Sequence, residues 1–366
     1  MNRNDIILIH GTDYKNMAKQ VLERADLAEM IPNKETLVAL KPNLVNDSDP
    51  SWGATTHSEL VEGTLEYLQE HGFSNLAVME SSWVGAHTPD ALKATGTDRV
   101  CQSLQVPFVD LQKDTWKEYD AEGMKISVCD TAMSAGFVIN IPVLKGHCQT
   151  IVTCALKNNK GVIPNQEKRR FHTMGLHEPI AHLNTVVRND FILVDNICGD
   201  LDFEEGGNPV EMNRILGFRD PVLCDAFVCE TMGFSPSEVR YITLAERLGC
   251  GSTDLTHANR IYLNPPQEER SLTRPAGKAR KLAKYTVPVD ACSACYGSLI
   301  HALARLEEKG FLNEQLPSVC IGQGYQGKYG DIGIGRCTAC FHKSLKGCPP
   351  TASQIVEFLS ANWKEK

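Results

Sequence analysis

The chain has 366 residues, 42% hydrophobic and 22% charged, with a formal charge of −8 at pH 7. That length suits a large core and two domains, and the acidic balance argues against a nucleic-acid partner, because phosphate binding leaves a basic footprint. No run of about eighteen apolar residues occurs, so no membrane span is expected. The opening MNRNDIILIHGTDY is too short in its apolar part for an export signal, so the expected location is the cytoplasm.

Taken in order, DIILIH (5–10), TLVALKPNLV (36–45), NLAVME (75–80), GFVINIPVL (136–144) and FILVDNI (191–197) read as strands. Several are apolar on both faces, which suits parallel strands covered by helices. TTHSELVEGTLEYLQEHG (55–72) reads as a helix with Thr56 and Glu59 at capping-box spacing and Gly72 at its end. HTPDALKATG (87–96) repeats the pattern, with Thr88 as cap and Pro89 at the first helical position. Such alternation predicts an α/β fold, a layered and largely parallel sheet with helices on both faces. Residues 200–225 read as irregular, with helices near 223–233 and 236–249. The proline-containing, basic stretch 263–290, with Lys278, Arg280, Lys281 and Lys284, reads as a solvated linker. The expected organisation is an α/β domain over 1–262, a linker over 263–290 and a C-terminal module over 291–366. That module should hold a helix from about Cys295 to Glu308, a strand at SVCIGQG, and a last helix capped by Thr351 and Gln354.

Fourteen cysteines in a reducing compartment are not expected to form disulfides. Nine are scattered, and most of these, Cys129, Cys224 and Cys320 among them, fit an apolar core. The other five are concentrated: Cys292 and Cys295 in DACSACYGSL, then Cys337, Cys340 and Cys348 in GRCTACFHKSLKGCPP. Two such groups can converge on one metal centre. Paired C-x2-C knuckles suit zinc, whereas a proline directly after the last cysteine is a ferredoxin-type feature. The favoured set is Cys292, Cys295, Cys337 and Cys348 around a [4Fe–4S] cluster, with Cys340 as alternate ligand and zinc as the second reading. Glycines of GQGYQGKYGDIGIG (322–335) lack the strand–GxGxxG–helix context of a nucleotide loop, and are expected to let backbone approach the sulfurs or a substrate.

Polar residues gather where apolar strands end. Lys41 and Asn43 follow a strand that Pro42 either ends or confines to an edge. Thr55, Thr56 and His57 open a helix whose free amides favour a carboxylate or phosphate, or else form only its cap. The densest stretch is INIPVLKGHCQTIVTCALKNNKGVIP (139–164), which presents Lys145 and His147 at a strand end, then Lys157, Asn158 and Lys160. Ligands collect at the carboxyl ends of parallel strands. Lysines bind anions as point charges, and His147 is a candidate acid or base. Asp195 is a candidate proton acceptor or lysine partner.

KPNLV (41–45), TTHSELV (55–61), INIPVLKGH (139–147), ALKNNKG (155–161) and the tail ending GCPPT (347–351) together resemble the iron–sulfur proteins catalogued as domain of unknown function 362. That resemblance implies a cytoplasmic α/β protein with a C-terminal [4Fe–4S] centre and no particular reaction. The split ligand set departs from the compact ferredoxin run and implies one cluster. The Lys/His-rich strand end is also distantly similar to nickel-dependent lactate racemase, whose nickel cofactor is not carried over. Three functional readings follow. The first is a redox or cluster-assisted enzyme on a small carboxylate or phosphate, using His147, Lys145 and His57 for chemistry and an electron donor such as ferredoxin. The second is a non-catalytic electron-transfer or cluster-carrier protein, and the third a racemase- or epimerase-like enzyme with a structural metal module. A homodimer is the default for such an enzyme.

Overall fold

A computed structural model describes residues 1–265, 278–313 and 315–363. The chain divides into two compact units, Met1–Arg169 with His177–Arg274, and Arg170–Leu176 with Pro275–Lys366. Of the stretch read as a linker, residues 266–277 lie outside the described residues, while Lys278–Ala283 is helical and Thr286–Pro288 is a strand.

The first unit is built on β1 (Asp5–His10), β2 (Val38–Pro42), β3 (Leu76–Glu80), β4 (Phe108–Asp110), β5 (Trp116–Ala121), β6 (Met124–Cys129), β7 (Phe137–Ile141), β8 (Lys145–His147), β9 (Ile151–Thr153), β10 (Phe191–Asp200), β11 (Pro209–Phe218) and β12 (Asn259–Tyr262). Eight of them form one sheet in the order β12-β1-β11-β10-β7-β2-β3-β4. Only β11 runs antiparallel to its neighbours β1 and β10, so the sheet is largely parallel, as expected. β5 and β6 form a hairpin, and β8 and β9 a two-stranded ribbon.

Alternation explains how the sheet is filled. Val38, Leu40, Leu76, Val78, Phe137, Ile139, Phe191 and Leu193 all belong to one core cluster with Val21, Leu22, Leu60, Leu65 and Leu68 from the helices Tyr14–Arg24 and Ser58–Glu70. Residues of opposite parity, such as Ala39, Val138, Ile192 and Val194, are outside that cluster and buried as well. A sheet buried on both faces needs strands that are apolar throughout. Two polar interruptions, Lys41 and Asn140, are register partners on β2 and β7. They fall on the face turned away from the first core.

Three expectations are corrected. The segment 200–225 is irregular only over its first part, 201–208: β11 is a ten-residue strand inside the sheet, and a helix begins at Pro221. Thr56 and Thr88 are not helix caps. The capping positions are His57 and His87, one residue on from each threonine in the first case and one before it in the second. The Thr56 hydroxyl donates to the Ile141 carbonyl (2.8 Å), and that of Thr88 accepts from the Ser82 amide (3.1 Å). Finally, β7 ends at Ile141, so Lys145 and His147 lie on the separate ribbon rather than at its tip. Pro42 ends an interior strand, not an edge one.

The second unit carries β13 (Thr286–Pro288), β14 (Val319–Ile321), β15 (Ile332–Ile334) and β16 (Lys343–Leu345), all parallel and in sequential order. The helices Ser293–Glu308 and Ala352–Asn362 accompany them, the latter opened by the Thr351/Gln354 capping box. Among the described residues no helix is long and apolar enough to cross a membrane.

Candidate functional site

Lys41 is fully buried and pairs with Glu80, Nζ to Oε2 2.5 Å. Burial lowers its pKa, against the pull of that carboxylate. Gly161 makes the pair possible, because a Cβ there would sit 1.8 Å from Glu80 Oε1 and 2.6 Å from Lys41 Nζ. The Gly161 carbonyl in turn accepts from the Ser81 hydroxyl (2.8 Å). Lys168 joins from the helix Asn165–Met174, donating to the Ser81 carbonyl (2.7 Å), the Ser81 hydroxyl (2.5 Å) and the Ser82 carbonyl (2.6 Å). Burial pushes its amine down to about 8.

On the ribbon, alternation sends Lys145 and His147 to one side and Gly146 to the other. A Cβ at Gly146 would lie 2.2 Å from the Leu201 carbonyl, so this position must be glycine. The Lys145 amine donates to the Ala54 (2.5 Å) and Glu204 (2.9 Å) carbonyls, and burial pushes it down to about 7. His147 accepts the Gln149 and Thr150 amides at Nδ1, both at 3.0 Å, and faces Glu204 Oε1 with Nε2 at 3.1 Å. Its Nδ1 is therefore an acceptor, and the ring proton sits on Nε2. Burial also lowers the His147 pKa, which favours that neutral form.

Glu204 is the anchor of this group. Its other oxygen pairs with Lys157. Burial works to raise its pKa, but His147, Lys157 and Lys160 outweigh it and hold the carboxyl well below the usual range. Lys160 is pushed down to about 7, by burial and then by the neighbouring charge of Lys157. Asparagines fix the backbone that carries these lysines. Asn158 donates to Asn140 Oδ1 (2.7 Å) and the Lys41 carbonyl (3.3 Å), Asn140 donates to the Ala155 carbonyl (3.0 Å), and Asn159 to Asn184 Oδ1 (2.8 Å). At the start of that turn Asp225 accepts the Ala155 amide (2.7 Å) and the Tyr241 hydroxyl (3.0 Å); burial raises its pKa to about 7.

His57 and Asp195 form a second group. One oxygen of the fully buried Asp195 accepts both the His57 amide (2.7 Å) and Nδ1 (2.9 Å). The free amide expected to hold an external anion is thus occupied by an internal carboxylate, and Asp195 serves a histidine rather than a lysine. Burial opposes the imidazolium, yet Asp195 and Cys198 raise His57 to about 11. Thr55, Thr56 and Asn43 spend their side chains on backbone groups: Thr55 donates to the Ser48 carbonyl (3.0 Å), Thr56 to that of Ile141, and Asn43 Oδ1 accepts the Val45 amide (3.2 Å). Sequence reasoning missed Glu204 and Lys168 entirely.

In the second unit the four parallel strands have their carboxyl ends on one edge, and each exit carries a sulfur or an amide aimed at one. Cys292 and Cys295 follow β13, Gln323 and Gln326 follow β14, Cys337 follows β15 and Cys348 follows β16. Gln323 donates to Cys292 Sγ (3.4 Å) and Gln326 to Cys337 Sγ (3.6 Å). Burial and then the charge of Cys292, Cys348 and Cys337 push the Cys295 thiol up to about 12. Cys292 is raised likewise by burial, then Cys337 and Cys348. These four cysteines therefore lie within electrostatic reach of one another. Cys340 perturbs neither Cys292 nor Cys295 and is exposed. A Cβ at Gly335 would stand 3.5 Å from Cys295 Sγ, so backbone approaches that sulfur closely.

Fold and site together define an α/β protein with a buried lysine–histidine–carboxylate group and a cysteine-bearing C-terminal unit. The chain belongs to the family described as domain of unknown function DUF362, whose model matches residues 38–230. It is similar to the thylakoid-associated protein sll1697 of Synechocystis sp., 24% identical over 227 residues that span 59% of this chain and 69% of that protein. It is also similar to the lactate racemase apoprotein of Thermoanaerobacterium thermosaccharolyticum, at 16% identity and a TM-score of 0.42, over 62% of this chain and 56% of the racemase chain. The chain thus matches little more than half of that racemase's length.

Proposed function

We propose that the first unit binds a small anion, a carboxylate or phosphate, on its buried lysines, and that the second unit holds an iron–sulfur cluster. The protein is then a redox or cluster-assisted enzyme. One observation carries the anion reading: Lys145 and Lys168 are buried, and among the described residues each donates only to neutral oxygens, with Glu204 and Glu80 acting on them from farther off. A buried ammonium with no carboxylate in hydrogen-bond contact is costly, and a bound anion compensates it. His147 holds its proton on Nε2 against Glu204 and has Nδ1 closed off by two backbone amides, so it does not act as a base through Nδ1.

The proline directly after Cys348 favours a cluster over zinc, as the last cysteine of ferredoxin-type motifs is followed by proline. The set that fits is Cys292, Cys295, Cys337 and Cys348, with amide donors from Gln323 and Gln326. Such a cluster supplies single-electron transfer when bound. The exposure of Cys348 also favours a second reading, an electron-transfer protein that meets a donor such as ferredoxin at this edge.

Two measurements on protein purified without oxygen test the reading. Iron and acid-labile sulfide should each approach four per chain. Calorimetry with phosphate and with malonate should give binding of at least one at pH 6.5, abolished by Lys145→Met. Stoichiometric zinc without sulfide overturns the cluster, and no binding of either anion overturns the first unit's role.

A further inference from the structure

We propose that the loop 201–208 carries a displaceable cover, whose Glu204 fills the lysine–histidine site in place of a ligand, and that the ligand it gives way to is a small dicarboxylate. The inference rests on the anion reading above, and adds the ligand class and the gate of that same site.

One residue answers three donors. Glu204 Oε1 faces His147 Nε2 at 3.1 Å, its other carboxylate oxygen pairs with Lys157, and its backbone carbonyl accepts from Lys145 Nζ at 2.9 Å. Lys145 and His147 stand on β8, and Lys157 on the turn Ala155–Asn158. The donors are nearly closed to solvent, with the His147 side chain 1% and that of Lys157 5% exposed, whereas the Glu204 side chain is 23% exposed. Glu204 is therefore the solvent-side member of the group.

The loop is built to keep its base and release its tip. Leu201 and Phe203 are buried, and the Leu201 carbonyl packs where a Cβ of Gly146 would stand. Asp200 ties both ends of the loop: Oδ1 accepts the Asp202 and Phe203 amides, each at 2.9 Å, and Oδ2 accepts the Asn208 amide at 3.0 Å. Between those ties lie Glu204, Glu205, Gly206 and Gly207. The two glycines have φ of +80 and +121, and glycine lets the chain change course there at little steric cost. The tip rests on Trp52, whose carbonyl accepts the Gly207 amide (2.9 Å), and on Asn46, whose Nδ2 reaches the Glu205 carbonyl at 3.4 Å. A short tip on a fixed neck opens through a few backbone angles.

A mismatch within the group gives the ligand. Glu204 offers His147 and Lys157 a carboxylate, but offers the buried Lys145 only a neutral carbonyl, as does Ala54 at 2.5 Å. A ligand with a carboxylate at each end meets all three donors with charge, and this difference is what displaces Glu204 into water. In a glutamate residue three carbons separate the backbone carbonyl carbon from the carboxyl carbon, which is the spacing of the two carboxylates in glutarate. A monocarboxylate supplies only what Glu204 already supplies, leaves Lys145 no better served, and does not lift the tip.

Amide hydrogen exchange of the purified full-length protein, with and without saturating glutarate, tests the cover without any variant. Exchange over 204–207 is expected to quicken about tenfold with glutarate, because the tip is freed, and to stay unchanged with acetate. Calorimetry gives a second reading. Glu204→Gln turns an amide NH2 toward one of two donors, and should bind glutarate about tenfold more tightly than the wild type, since the site no longer fills itself. Glu205→Gln removes the same charge from the exposed neighbouring residue and should gain far less. Slower or unchanged exchange over 204–207 in saturating glutarate overturns the cover, and this decides even if Glu204→Gln fails to fold. Equal gains in the two variants also overturn it, because Glu204 then acts only as a charge. Acetate that matches glutarate overturns the dicarboxylate. Binding of malonate or phosphate without glutarate overturns this inference and spares the anion reading, whereas binding of none of the three overturns both.

Discussion

A methyl group at Gly161 would occupy the place where Lys41 and Glu80 meet. Gly161→Ala should therefore break a buried ion pair rather than merely crowd it, and should destabilise the protein by about 3–5 kcal/mol in urea unfolding. The depressed amines set a pH dependence for anion binding. Lys145 and Lys160 are pushed down to about 7 and Lys168 to about 8. Above these values a bound anion must restore protons that the free protein has lost, so affinity falls as pH rises. Calorimetry with the bound anion should show a plateau below pH 7, then a loss of about tenfold per pH unit for each amine that must regain its proton. Sequence made the lysines legible, because Lys145, Lys157 and Lys160 interrupt apolar runs. It did not reveal Glu204 or Lys168. Glu204 lies in GDLDFEEGG, a stretch rich in acids and glycine, where nothing local separates a buried carboxylate from its solvated neighbours. The pairing of His57 with Asp195 was equally hidden, since the two lie 138 positions apart.

Elements carry this logic further. The turn Ala155–Asn158 is too short to hold itself, and its first amide depends on Asp225 from the helix Pro221–Thr231. Asp225→Ala leaves that amide without an acceptor and the Tyr241 hydroxyl with only the Val152 carbonyl at 3.3 Å, for an expected loss of about 2–3 kcal/mol in thermal or urea unfolding. Asp225 also gives a signed pH effect. Its folded pKa, raised to about 7, exceeds the usual 3.8, so between these values the native state binds more protons than the unfolded one. Its contribution to stability therefore declines as pH rises from about 4 to 7, and Asp225→Ala should flatten the profile in that window. β11 escaped the sequence reading for a reason of the same scale. Its ladder slips by one residue near Asn213, which has φ +47, and such a slip breaks the period-two signal. By contrast, the Thr351/Gln354 box and the long runs of β1 and β10 are local features, and these were legible.

At the scale of the whole molecule, the second unit's strands are three residues each, shorter than the usual five or six. Removing iron with a chelator should raise amide hydrogen exchange over 319–345 and leave β1, β7 and β10 protected. Equal protection with and without iron would mean that the small sheet stands without its metal. Ligand assignment follows the strand exits: Cys348→Ser should lose iron and sulfide, and Cys340→Ser should retain both. The division into α/β part and cysteine-rich tail was visible in composition, whereas the assignment of Arg170–Leu176 to the second unit was not, because no sequence pattern records which distant residues cluster.

The place of β1 in the sheet also bears on how the protein is made. Its two neighbours are β11 and β12, so among the described residues β1 is paired by strands about 200 or more positions further along the chain. At ribosomal rates of about 5–20 residues per second, roughly 200 residues take on the order of 10–40 s to emerge. Throughout that interval DIILIH is an apolar segment with no edge to join. It is a natural client for a holding chaperone, and arrest of translation before residue 209 should yield nascent chains that bind one through this segment.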